Sequence, residues 1–96
     1  MRSEWALEGF GECLDQWIER DRPPQDVRLV VTSWVLSRFE DPYQGVRREG
    51  GFDNLWYGTV PQSRHDDAKA VLCSYWIKER ERTVTCESIA TLGLPH

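Results

Sequence analysis

Apolar residues in the first part of the chain recur at helical spacing, whereas those in the second half alternate or gather in short β-branched runs. Phe10, Cys13, Leu14, Trp17 and Ile18 follow an i, i+3, i+4, i+7, i+8 stripe, which predicts a first helix from about Leu7 to Arg20. Glu4, Glu8, Glu12, Asp15 and Glu19 lie largely on its other side. The alternation in Glu4-Trp-Ala-Leu-Glu8 also allows the tail of a short first strand. Asp21-Arg-Pro-Pro24 breaks this helix and opens a second, because proline is tolerated in a first helical turn. The second helix spans about Gln25 to Phe39, with Val27, Val30, Val31, Trp34 and Val35 on or near one face. It stops at Asp41-Pro42, since a residue before proline is pushed out of the helical region.

The pattern then changes period. Gly45-Val-Arg-Arg-Glu49 reads as a short strand that Gly50-Gly51 turns back. Asn54 to Val60, Ala70 to Ile77 and Arg82 to Ile89 are rich in β-branched and aromatic residues, the composition of half-buried strands. Pro61 to Asp67 is a polar loop, Lys78-Glu-Arg-Glu81 a charged hairpin turn, and Leu92 to His96 a short tail. The expected fold is one α+β domain over 1–96, a helical hairpin packed on a four- to five-stranded, mainly antiparallel sheet.

Composition supports a folded domain. The chain is 40 % apolar with five tryptophans, enough large side chain to fill one core at this length. No run approaches the roughly 20 apolar residues needed to cross a bilayer, and no apolar signal segment follows the first methionine, so a cytoplasmic protein is expected. Net charge is −4. Residues 1–44 hold nine acids against five arginines, and residues 45–96 hold seven charges of each sign, so the acidic excess belongs to the helical half. A sequence-independent nucleic-acid binder carries a basic excess instead, because counterion release supplies most of its affinity.

Three cysteines, Cys13, Cys73 and Cys86, lack metal-ligand spacing, and neither His65 nor His96 neighbours one, so no metal or cofactor is expected. A four-residue turn at 78–81 sets Ile77 opposite Arg82 and Cys73 opposite Cys86. The pair reads as two small buried hydrophobes or as a redox couple.

Several groups carry potential chemistry. Arg64, His65 and Lys69 sit in or beside the polar loop, where His65 offers an acid or a base. Trp56, Tyr57, Tyr75 and Trp76 offer an aromatic platform, of which strand alternation lets only one of each adjacent pair face the helices. The acids Glu4, Glu8, Glu12, Asp15 and Glu19, spaced about one turn apart, imitate a row of phosphates and suit a basic nucleic-acid channel on a partner protein.

A short apolar segment, a helical hairpin, Asp41-Pro42…Gly45, Leu55-Trp-Tyr-Gly-Thr-Val60, Val71…Tyr75-Trp-Ile77 and Arg82-Thr-Val-Thr85…Ile89 together resemble the RelE/ParE toxin superfamily of bacterial toxin–antitoxin systems. The resemblance covers nearly the whole chain. It implies a concave sheet face on which cations hold a messenger phosphate and a terminal Tyr, His or Lys assists transfer to the 2′-hydroxyl. Carried onto this chain, it places Arg47 and Arg48 where phosphate-binding cations stand; His65, in the polar loop, is a separate acid–base candidate. The chain departs from that pattern at Tyr57 and Thr59, where arginines are usual, and between Val71 and Tyr75, where there is none. Its C-terminal segment offers Glu87, Ser88 and His96.

Three readings of function follow. The resemblance implies a toxin silenced by an antitoxin protein and acting on ribosome-bound RNA or another housekeeping target. The acidic positions, with the outward member of the pair Trp56 and Tyr57, describe a non-catalytic binding protein, such as a phage-encoded anti-defence or anti-CRISPR-like inhibitor of a basic nucleic-acid-binding partner. A small homodimeric interaction domain is the third.

Overall fold

The computed structural model describes residues 4–93 of the chain, and His96 lies outside them. The elements are β1 (Ala6–Glu8), α1 (Phe10–Asp21), α2 (Gln25–Ser37), β2 (Arg47–Arg48), β3 (Leu55–Thr59), β4 (Lys69–Lys78) and β5 (Thr83–Gly93). One five-stranded sheet runs β1-β5-β4-β3-β2, with β1 parallel to β5 and the other pairs antiparallel. The α+β expectation of a helical hairpin on a mainly antiparallel sheet is met.

Strands β1 and β2 occupy opposite edges, so the hairpin joining them crosses the sheet. It covers one face: Phe10 of α1 and Trp34 of α2 both pack on Tyr75 of β4, with ring centroids 6.0 and 6.3 Å away. The same face of β4 supplies Val71, Cys73 and Ile77 to a core completed by Trp17, Val27, Val31, Val35, Val84 and Ile89. Burying such side chains is worth about 1.5–3 kcal/mol each, which outweighs the modest helix propensity of the valine-rich α2. Among the described residues no helix covers the opposite face of the sheet.

Boundaries differ from expectation where local chemistry intervenes. Glu4-Trp-Ala-Leu-Glu8 takes the strand option, and α1 starts only after Gly9, whose φ of 74° turns the chain. The five acids therefore do not form a single helical stripe: Glu12, Asp15 and Glu19 stand on α1, Glu8 belongs to β1 and Glu4 precedes it. Strand β5 runs on to Gly93, so Leu92 and Gly93 are strand and not tail. Beyond the three residues that pair with β1, its edge is served by α1: Arg20 donates to the Ile89 carbonyl at 2.7 Å and Asp21 accepts from the Thr91 N–H at 2.9 Å.

The β4–β5 register also shifts. Lys78 pairs with Thr83, so the turn occupies 79–82, with Arg82 in the left-handed region at φ 52°. Tyr75 then faces Cys86 and Ser74 faces Ser88, leaving Glu87 as an unopposed bulge residue. Cys73 consequently lies opposite Ile89, and the expected Cys73–Cys86 opposition does not form. All three cysteines are free thiols gathered between α1 and the sheet. Burial, then contact with Cys86, pushes the Cys13 thiol up to about 12. The Cys86 thiol is raised by its contact with Cys73 and by burial.

Candidate functional site on the helix-free sheet face

Strand alternation and register decide which side chains share the open face. Arg47 lies opposite Tyr57, Tyr57 opposite Ser74, and Ser74 opposite Ser88. These four residues form a row across β2, β3, β4 and β5 on the face away from the helices, spanning about 14 Å at ~4.8 Å per strand. The Ser74 and Ser88 hydroxyls are hydrogen-bonded at 3.0 Å. Arg47, Tyr57 and Thr59 also line a shallow pocket of about 310 Å³ with Gly45 and Gly58.

The floor of that pocket requires Gly58. A Cβ there would lie 2.9 Å from Val46 Cγ1 and 3.0 Å from the Gly45 carbonyl, where the chain entering β2 crosses β3 on the helix side. That entering segment is held from within the core. Tyr75 donates its phenol hydrogen to the Pro42 carbonyl, and the buried Arg38 donates to the Gln44 carbonyl at 2.6 Å. Burial pushes the Tyr75 phenol up to about 12, so it stays protonated as that donor.

A second row runs beside the first. Leu55, Trp76, Thr85 and Glu8 are opposed in turn across β3, β4, β5 and β1. The Trp76 indole N–H donates to Glu87 at 2.8 Å, and the Phe52 ring stands at 83° to the indole with centroids 5.8 Å apart. Thr85 donates a long 3.4 Å hydrogen bond to Glu8. The open face is thus cationic at its β2 end and acidic towards β5 and β1.

Arg48 points to the other side of β2 from Arg47, opposite Trp56. His65 forms an isolated bridge with Lys69 in the β3–β4 loop, and its Nδ1 lies 2.8 Å from the Ser63 carbonyl. A carbonyl only accepts, so Nδ1 carries the hydrogen and the ring braces the turn. The pocket that Arg47 lines includes neither Arg48 nor His65. Trp56 packs beside the core edge-on to Tyr43, so of Trp56 and Tyr57 only Tyr57 stands on the open face. Glu12, Asp15 and Glu19 are exposed on α1 and make no ion pair among the described residues.

Phe52 and Arg38 escaped sequence reading, since an aromatic beside a Gly-Gly turn and an arginine at a helix end both read as ordinary surface. Glu87 carried a signal. Apolar residues at Val84, Cys86 and Ile89 break the strict alternation of a strand, and the break marks the bulge.

Among the described residues no cluster of His, Cys, Asp or Glu is placed to hold a metal, and no helix is long and apolar enough to cross a membrane. Family models and curated proteins give no match to the chain. Among solved structures it is similar to the E. coli toxin RelE, in a double-arginine mutant in the free state. The TM-score is 0.63 at 14 % sequence identity, over 96 % of this chain and 84 % of that one. The fold is therefore RelE-like, as the residue pattern led us to expect.

Proposed function

We propose that this chain is a RelE-like toxin of a toxin–antitoxin pair, acting in the cytoplasm, and that it engages its target through the helix-free sheet face. The observation that carries this reading is the row Arg47, Tyr57, Ser74 and Ser88, which puts a cation, a phenol and two hydroxyls in line on an open surface. Such a row suits a single-stranded RNA segment: the guanidinium takes a phosphate, the phenol ring stacks a base and the hydroxyls meet sugar or base edges. One cation supplies little affinity alone, so the target is messenger already held on the ribosome. The geometry favours holding over cutting. Cleavage needs an acid–base pair flanking one phosphate, whereas Glu87 lies about three strand spacings from Arg47 and His65 serves its turn.

The antitoxin has a ready surface on α2. Leu29 and Leu36 are each 62 % exposed, and Leu29, Ser33 and Trp34 with Pro61 and Gln62 line an uncharged groove of about 430 Å³. A second reading, an acidic binding module for a basic partner, rests on Glu12, Asp15 and Glu19 of α1, which are exposed and make no ion pair among the described residues. Translation of a defined messenger in a cell-free system separates the two. The toxin reading predicts that the purified chain stalls synthesis and leaves the messenger full-length. Unimpeded synthesis would remove that reading and leave the acidic module.

A further inference from the structure

We propose that the corner made by Trp76, Phe52 and Glu87 is a binding site for an organic cation, namely the guanidinium of an arginine carried by a partner polypeptide. The site lies in the row beside Arg47 and does not depend on the toxin reading. Trp76 sits on the helix-free face of β4, and its N–H bond to Glu87 on β5 ties the indole down as a floor. Phe52, 50 % exposed, stands at 83° to that indole and forms a wall with centroids 5.8 Å apart. Two aromatic rings at right angles present the electron-rich faces that attract a cation.

The carboxylate closes the third side. Glu87 is exposed, and the bulge leaves it without a partner across the ladder. The Trp76 N–H occupies one oxygen on one side only, and an ionised carboxylate has about four acceptor positions in total. A planar guanidinium satisfies both demands at once, lying along the indole while its fork reaches the carboxylate, which an ammonium does less well. Glu8, across from Thr85 in the same row, adds a second negative charge nearby. Glu87 and Glu8 repel a phosphate backbone and outnumber Lys78, the cation two residues beyond Trp76 on the same face of β4, so this end of the face favours a basic peptide and leaves nucleic acid to the Arg47 end.

The test uses the full chain labelled with nitrogen-15. Its five tryptophans give five indole N–H signals, and a Trp76→Phe variant assigns the one that matters. The probes are a blocked peptide of alternating glycine and arginine, the same peptide with lysine, and a single-stranded RNA hexamer. The arginine peptide is expected to move the Trp76 signal saturably and to bind several-fold tighter than the lysine peptide. Glu87→Gln keeps an acceptor for the indole and weakens the arginine peptide by roughly tenfold. Phe52→Leu weakens it by about threefold without disturbing the fold. The proposal is overturned if the arginine peptide leaves the Trp76 signal in place, if Glu87→Gln binds it equally well, or if the RNA hexamer alone moves the signal. Loss of this site would leave ribosome stalling through Arg47 intact, so the two readings fail separately.

Discussion

The phenol of Tyr75 lies 3.3 Å from the guanidinium of Arg38 in the core of the molecule. Arg38 is 2 % exposed; its guanidinium stacks over Trp34 at 4.1 Å and donates to the Gln44 carbonyl and the Ser37 hydroxyl. Tyr75 passes the chain of bonds on to the Pro42 carbonyl. A buried cation costs desolvation, and every acceptor retained offsets part of that cost. Tyr75→Phe removes one acceptor from Arg38 and the donor from Pro42. We expect a loss of about 1–3 kcal/mol, read as a lower urea midpoint at unchanged slope.

Gly58 is where the segment entering β2 passes closest to β3. Gly58→Ala drives a methyl against the Gly45 carbonyl, a backbone atom with little room to move. A cost of about 1–3 kcal/mol is expected, together with displacement of Arg47 from its pocket. Gly50→Ala is the control, because no atom lies within 4 Å of the added Cβ. Its stability should stay within about 0.5 kcal/mol of the parent. Equal effects from the two substitutions would contradict the close approach.

Alkaline pH should destabilise the chain through its buried thiol and phenols. Cys13, Tyr43 and Tyr75 are each raised to about 12 from ordinary values of 9.0, 10.0 and 10.0, chiefly by burial. Groups raised on folding contribute stability that is fully present below their unfolded values and is lost as pH climbs through the folded ones. Stability is therefore expected to be level up to about pH 9 and to fall between there and 12. Urea titrations across that range, with tyrosinate absorbance followed in parallel, check it. The same shift lowers the Cys13 thiolate fraction near pH 8 about a thousandfold relative to the unfolded chain, so alkylation of Cys13 should need denaturant.

Much of the architecture was legible because burial and periodicity coincide. The Phe10 to Ile18 stripe, the α2 valines and the runs that became β3 and β4 all put their apolar positions on one side. Register was harder to read. The position of a hairpin turn is set by which residue accepts a left-handed conformation, and Arg82 has no sequence mark for that. A shift of the turn by one residue moved Cys86 from Cys73 to Tyr75, and the bulge at Glu87 then set Ile89 opposite Cys73. The site was half legible for the same reason. Arg47 and Arg48 were visible as a pair, but only the register shows that Arg47 shares a face with Tyr57. Arg48 and Trp56 belong to the other side, and His65 belongs to its loop.

The most direct test exploits two adjacent arginines on opposite sides of one strand. Growth of bacteria expressing the intact chain should be compared with growth under Arg47→Ala and, separately, Arg48→Ala. The intact chain should arrest growth, Arg47→Ala should relieve the arrest and Arg48→Ala should preserve it, with all three proteins accumulating equally. Relief by Arg48→Ala alone, or no arrest by the soluble intact chain, would contradict a target-binding role for the helix-free face.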